Sequence, residues 1–191
     1  MTQAEWQLVM QTTPWGRKEY VKEGNEYPAT FLTWAEATKF CENLTERERR
    51  ANHLPESWQY TLPTEAQWEY ACPAGTKSRF SFGDDESDPV EHAWHDGWYG
   101  WDVGQKYAHQ VGQKNANPWG LRDVHGNVWE WCSDYFLEGP VGAAGTKDRV
   151  IRGGSWDSSA NHCRSASRFG FTPIFDGRHL GFRVALVLSG R

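Results

Sequence analysis

The side chains in this sequence able to do chemistry fall into a few groups. Cys41, Cys72, Cys132 and Cys163 stand far apart and form no C-x-x-C pair, which speaks against a zinc knuckle or a dithiol redox motif. Two states stay open for them: four reduced, buried thiols in an intracellular chain, or two disulfides in an exported one. The seven histidines form no H-x-x-x-H or other iron-ligand pattern. In DVHGNVWE (123–130), the side-chain oxygens of Asn127 and Glu130 alternate with backbone bends. A carboxylate buried there must find either a cation or a metal, and Arg152 and Arg164 are the candidate cations. Arg152, Arg164, Arg168 and Arg183 sit among Trp156, Phe182 and glycine-rich turns. They are expected to stack on rings and pair with Glu130 or Asp134 rather than to form an anion pocket.

The region 157–179 differs from its surroundings. It mixes Asp157, Ser158, Asn161, His162, Phe169, Phe171, Ile174, Phe175, Asp176 and His179 without helical or strand period. Large apolar residues interleaved with Ser, Asn, Asp and His suit a contact surface. The alternative is that Phe169, Phe171, Ile174 and Phe175 pack beneath the loops.

The elements that must position these residues are legible in part. Three capping boxes, Thr2/Glu5, Thr33/Glu36 and Thr64/Gln67, each precede apolar residues at helical spacing, predicting three amphipathic helices. The charged run 45–50 reads as the solvated end of the second helix. Beyond Pro73 the period vanishes, and Gly, Pro, Asp and Asn punctuate the chain. Strands are predicted over 127–132, 150–156 and 181–188, and a long self-packed loop over 94–107. There is no internal repeat or linker, and 191 residues suit one domain, 1–191.

Aromatics make up 15% of the chain, with 12 Trp and 19 Gly, so the apolar mass sits in a few large rings. A net charge of −5 offers no general attraction for phosphate backbones or anionic lipid, and argues against nucleic-acid and membrane partners. No apolar run approaches the length of a membrane span, and MTQAEWQLVM has no signal-peptide character. As written, the chain is expected to be cytoplasmic, with export left open if its N-terminus is trimmed.

Six segments in order, LPTEAQWEYAC (62–72), FSFGDD (80–85), NPWGLRDVHGNVWEWCSD (117–134), RVIRGGSW (149–156), CRSASR (163–168) and LGFRVAL (180–186), resemble the successive signatures of the formylglycine-generating-enzyme (sulfatase-modifying factor) family. The resemblance implies an α+β fold of C-type-lectin type, with few helices, short antiparallel strands and much irregular loop. Family domains begin with a strand ahead of the segment that here reads MTQAEW, so either the N-terminus is trimmed or that strand is absent.

The resemblance also sets expectations for chemistry. Family members that oxidise a sulfatase cysteine carry two cysteines, with four residues between them, after the GGS segment, and bind copper(I) there. Here Cys163 occupies one of those positions and Ser158 the other. A serine hydroxyl does not replace a soft thiolate, so no catalytic residue is assigned and copper is not expected; Cys163 would act only if the enzyme reading held. Related ergothioneine-pathway oxygenases hold iron through a separate helical domain absent from this sequence. Some family members bind calcium at the place matching Asn127 and Glu130, so calcium stands beside a buried arginine as the partner of these residues.

The resulting expectation is a non-catalytic module presenting 157–179 to a protein or small-molecule ligand. In C-type-lectin-fold proteins diversified by retroelements, this stretch resembles the variable, ligand-facing part. The alternatives are an enzyme of the family, a metal-dependent oxidoreductase acting on a protein cysteine, and an accessory domain of a larger polypeptide.

Overall fold

In the computed structural model the helices form where the capping boxes predict them; the residues described are 1–85, 91–95, 106–137 and 147–190. They are α1 (Gln3–Met10), α2 (Trp34–Arg50) and α3 (Glu65–Ala71). In each, the threonine hydroxyl accepts from the backbone N–H three residues on, and the Glu or Gln there reaches back to the threonine N–H. Two of the first-turn donors that a helix leaves unpaired are thereby satisfied reciprocally.

The strands are short: β1 (Trp58–Thr61), β2 (Trp129–Tyr135), β3 (Arg149–Arg152), β4 (Arg168–Phe171), β5 (Leu180–Gly181) and β6 (Ala185–Leu188). They form a two-stranded sheet, β1-β6, and a four-stranded sheet in the order β4-β3-β2-β5. All pairs are antiparallel except β2 with β5, which is parallel. The fold is α+β, as expected, with a mixed rather than wholly antiparallel larger sheet.

The predicted strand bounds need three corrections. The first strand begins at Trp129 because Asn127 has a φ of 68° and belongs to a turn. The second stops at Arg152, where Gly153 and Gly154 take φ values of 96° and 75°. The third divides, with Leu180–Gly181 pairing β2 and Ala185–Leu188 crossing to pair β1. β1 and β4 alternate ring and non-ring residues over only four positions each, too short a run to have been predicted as strands. β4 even contains Gly170, where a Cβ would come within 2.5 Å of Phe136 Cγ; the glycine is what lets that ring lie against the strand. Residues 96–105 of the predicted loop 94–107 lie outside the described residues.

The main core joins all parts of the chain. Trp6 of α1 stacks on Phe40 of α2 at 5.6 Å, and Phe182 meets both edge-on, the offset and T-shaped geometries that aromatic quadrupoles favour. Leu32, Trp131, Ile151 and Leu180 complete this core. Trp68, Cys72, Val124, Cys132 and Val150 form a second cluster beneath α3. All four cysteines are free and buried, with no disulfide between them. Burial pushes the Cys41 and Cys72 thiols up to about 12 and Cys132 and Cys163 upward as well, so all four are protonated at neutral pH.

Candidate functional site

The signature at 123–130 is held by protein groups on every side. Glu130, on β2 and only 6% exposed, accepts from Trp68 Nε1 at 2.7 Å and from Arg183 Nε and a terminal nitrogen at 2.5 and 2.7 Å. Its partner is therefore neither Arg152, which faces it across the β2–β3 ladder, nor Arg164, whose Nε donates to the Asn161 carbonyl at 2.9 Å. Burial would strip a proton from Arg183, but Glu130 beside it holds its pKa above the ordinary value. Asn127 Oδ1 accepts from the His109 backbone N–H at 2.8 Å, and its Nδ2 donates to the His109 carbonyl. A guanidinium occupies the place where a calcium ion's charge would be needed, and the Asn127 amide is engaged elsewhere. As arranged, this donor set does not fit calcium. Among the described residues no group of three or more His, Cys, Asp or Glu could hold a metal ion.

The remaining arginines also differ from expectation in their partners. Arg152, fully buried, pairs with Glu69 and lies 5.2 Å over the Trp68 ring. Arg168 makes a two-point pair with Glu65 at 2.7 and 2.8 Å and lies over Phe136. Asp134 pairs with no arginine among the described residues, and instead accepts from the Glu65 backbone N–H at 2.6 Å, at the start of α3. Helix α3 thus supplies the carboxylates: Glu65 and Glu69 stand about one turn apart beside the buried Trp68 and meet the guanidiniums of β3 and β4.

Around Cys163 the backbone is tightly constrained. Gly154, at a φ of 75°, lies so close that a Cβ would sit 2.4 Å from Cys163 Sγ. His125, which sequence reasoning did not single out, bridges this segment to the 80–85 signature. Its Nε2 accepts from the Ser81 N–H at 3.0 Å, so its Nδ1 carries the proton donated to the Cys163 carbonyl at 2.8 Å. Burial pulls His125 down to about 4, which keeps it neutral. Its place inside the recognised segment 117–134 was the available signal.

Ser158 does not face outward with the rest of 157–179. It is buried, and its Oγ lies 2.7 Å from Ser155 Oγ while accepting from the Ser155 N–H. The hydroxyl closes its own turn. A buried, protonated thiol and a serine engaged in this way do not fit a two-thiolate copper(I) centre.

Four of the other predicted residues come together on one surface. Phe169, Phe171, Phe175 and His179 form a continuous strip of rings: Phe169 meets Phe171 edge-on at 5.5 Å, Phe171 stacks on Phe175 at 4.4 Å, and His179 lies about 6 Å from both Phe171 and Phe175. Phe169 also approaches Trp129 at 6.4 Å, and His162 approaches the same indole at 6.3 Å. Phe169 is 49% and Ile174 79% exposed; Asn161, His162 and Asp176 are exposed as well. Phe171 and Phe175 are half-buried and rest on the main core. Asp157 closes one end: Ser155 Oγ donates to it at 2.7 Å, and His179 Nδ1 and Arg178 lie 3.5 and 3.7 Å away. Burial would raise the Asp157 pKa, but His179, Ser155 and Arg178 together hold it below the ordinary value. Beneath the strip, Trp129, Trp131, Trp156 and Phe182 are buried, as expected of a scaffold.

Known proteins resemble this chain in sequence and in fold. The chain is 31% identical over 195 residues to the inactive C-alpha-formylglycine-generating enzyme 2 of Bos taurus, covering 94% of this chain and 58% of that protein. It is 31% identical over 205 residues to the formylglycine-generating enzyme of Streptomyces coelicolor, covering 95% and 61%. The chain therefore spans little more than half the length of such curated relatives. Among solved structures, Treponema denticola variable protein 1 matches with a TM-score of 0.81 at 28% identity, over 96% of this chain and 81% of that one. PvdO from Pseudomonas aeruginosa matches with a TM-score of 0.72 at 27% identity, over 85% and 63%. The family model described as the sulfatase-modifying factor enzyme 1-like domain aligns with residues 2–188, nearly the whole of the fold just described, and the chain belongs to that family.

Proposed function

We propose that this domain is a non-catalytic binding module whose ligand, a protein or a small molecule, docks on the surface built from residues 157–179. The observation that carries the reading is the ring strip from Phe169 to His179. Its outer faces are open while its inner faces rest on a rigid tryptophan scaffold. Aromatic rings held in place give large contact area at small entropic cost, the composition found at binding hot spots. Exposed Asn161, His162 and Asp176 add hydrogen-bonding groups at the rim.

Two likenesses support this reading. Relatives of similar identity include proteins named as inactive formylglycine-generating enzymes, and this chain has a serine at one of the two positions where the oxidising members carry cysteine. The fold match to a variable protein is consistent with a scaffold that tolerates change on this face, and we extend the proposal to a surface open to diversification.

The test compares the parent with a His162→Ala, Phe169→Ser, Ile174→Ser triple variant, all at exposed positions. Ligand candidates captured on the immobilised parent and lost on the equally folded variant support the proposal. Copper-dependent conversion of a cysteine in a substrate peptide would overturn it in favour of the oxidoreductase.

A further inference from the structure

We propose that Arg178 is the anchor of this surface for a carboxylate of the ligand. The inference rests on the reading of 157–179 as a binding face and gives that face a chemical preference.

The Arg178 guanidinium is ion-paired with Asp157, but its Nε has no hydrogen-bond partner. Its plane is fixed by two aromatic neighbours, Tyr20 at 4.8 Å and Trp156 at 5.6 Å from the guanidinium carbon. Its side chain is 40% exposed, and its only ionic neighbour among the described residues is Asp157, at 3.7 Å. That separation is beyond hydrogen-bond reach. Arg178 Nε and Trp156 Nε1 are both buried without a hydrogen-bond partner. Arg152, Arg168 and Arg183 each donate to a carboxylate at bonding distance, and Arg164 to a backbone carbonyl. Arg178 stands apart from them.

A guanidinium has five N–H donors and no acceptor, and its fork matches the two oxygens of a carboxylate. Stacking between rings pre-orders the fork, so little side-chain freedom remains to be lost on binding. Asp157 does not cancel the site's charge, since Lys22 lines the same small crevice as Arg178. Asp157 also has Ser155 and His179 as neighbours. Phe175 and His179 lie next to Arg178 in sequence and form the near end of the ring strip. The preferred ligand group is thus a carboxylate beside an apolar or aromatic moiety, with the ring on the strip and the acid on Arg178.

The experiment is an NMR titration of the full chain with N-acetyl-phenylalanine and, in parallel, with N-acetyl-phenylalaninamide. The two probes share the ring and differ only in the charge. The acid is expected to shift the Arg178 Nε–H and Trp156 Nε1–H resonances saturably and to bind about tenfold more tightly than the amide, as a charge-assisted two-point bond predicts. Arg178→Gln should erase the difference. Equal binding of acid and amide, with Phe171 and Phe175 signals moving in both titrations, would overturn the carboxylate anchor and leave the aromatic surface standing. Acid-selective shifts at Arg178 that are indifferent to Phe175→Ala would keep the anchor and sink the aromatic surface. Absence of any shift with either probe would overturn both.

Discussion

Glu130 on β2 and Arg183, 53 residues later, form a two-point ion pair with contacts of 2.5 and 2.7 Å, closed on its third side by the Trp68 indole N–H. The pair ties the β2 signature to the turn between β5 and β6, where the chain leaves one sheet for the other. Removing one member leaves the other's charge buried.

Glu130→Ala should therefore destabilise the fold by about 3 kcal/mol or more, read as the shift in a urea or guanidinium midpoint. Arg183→Met should be at least as damaging, and calcium or a calcium chelator should move neither the parent nor the variants. A calcium-dependent rise in the melting temperature that vanishes in Glu130→Ala would show that a metal, not Arg183, is the carboxylate's working partner.

Copper(I) should bind the parent no more tightly than it binds Cys163→Ser, because Ser158 stands where the second cysteine would be and the Cys163 thiol itself is buried and protonated. Competition with a copper(I) chelator under reducing conditions measures this. A stoichiometric site that disappears with Cys163 would restore the oxidoreductase reading.

Acid should weaken the fold through His125. Its folded-state pKa, lowered by burial to about 4 from the ordinary value of 6.5, means that the unfolded chain takes up the proton first as pH falls. The neutral-histidine contribution is complete above about pH 6.5 and is lost progressively down to about pH 4, a loss of about 2 kcal/mol between pH 6.5 and pH 5. His109, also lowered to about 4, adds in the same sense. Denaturation midpoints at pH 7 and pH 5 should converge in a His125→Gln, His109→Gln double variant; an unchanged pH slope would contradict the assignment.

Substitutions across 157–179 should fall into three classes. Asn161→Ala, Ile174→Ser and Asp176→Ala should each stay within about 0.5 kcal/mol of the parent. Trp131→Ala beneath them should cost on the order of 3–5 kcal/mol. Phe171→Ala and Phe175→Ala should lie between, at about 1–2 kcal/mol, because these rings rest on the main core with one face open. Thermal melts of these variants check the ordering, and Phe variants as damaging as Trp131→Ala would turn the strip into core.

Much of this architecture was legible because its causes are local. A capping box needs residues only three apart, so the three helix starts were readable and the structure places them there. The scaffold tryptophans and the ring-rich segment 157–179 could be separated by type and by nearness to glycine landmarks. The strands were harder. β1 pairs with β6 across more than a hundred residues, and its aromatic and polar residues alternate over only four positions, all half-buried, too few to mark a strand by themselves.

The identities of partners were beyond the sequence for the same reason. It determined that Glu130, if buried, needed a counter-charge, and that Ser158 could not serve as a thiolate. Only the folded chain decided that Arg183 is that counter-charge, that α3 supplies the carboxylates for Arg152 and Arg168, and that Ser158 turns inward while its neighbours face out. An ion pair or a ring stack is selected by distance in space, and in a fold built from short strands and long connections, separation along the chain says little about it. Residue type sets what each side chain needs, and packing alone sets which of several eligible neighbours arrives within bonding distance.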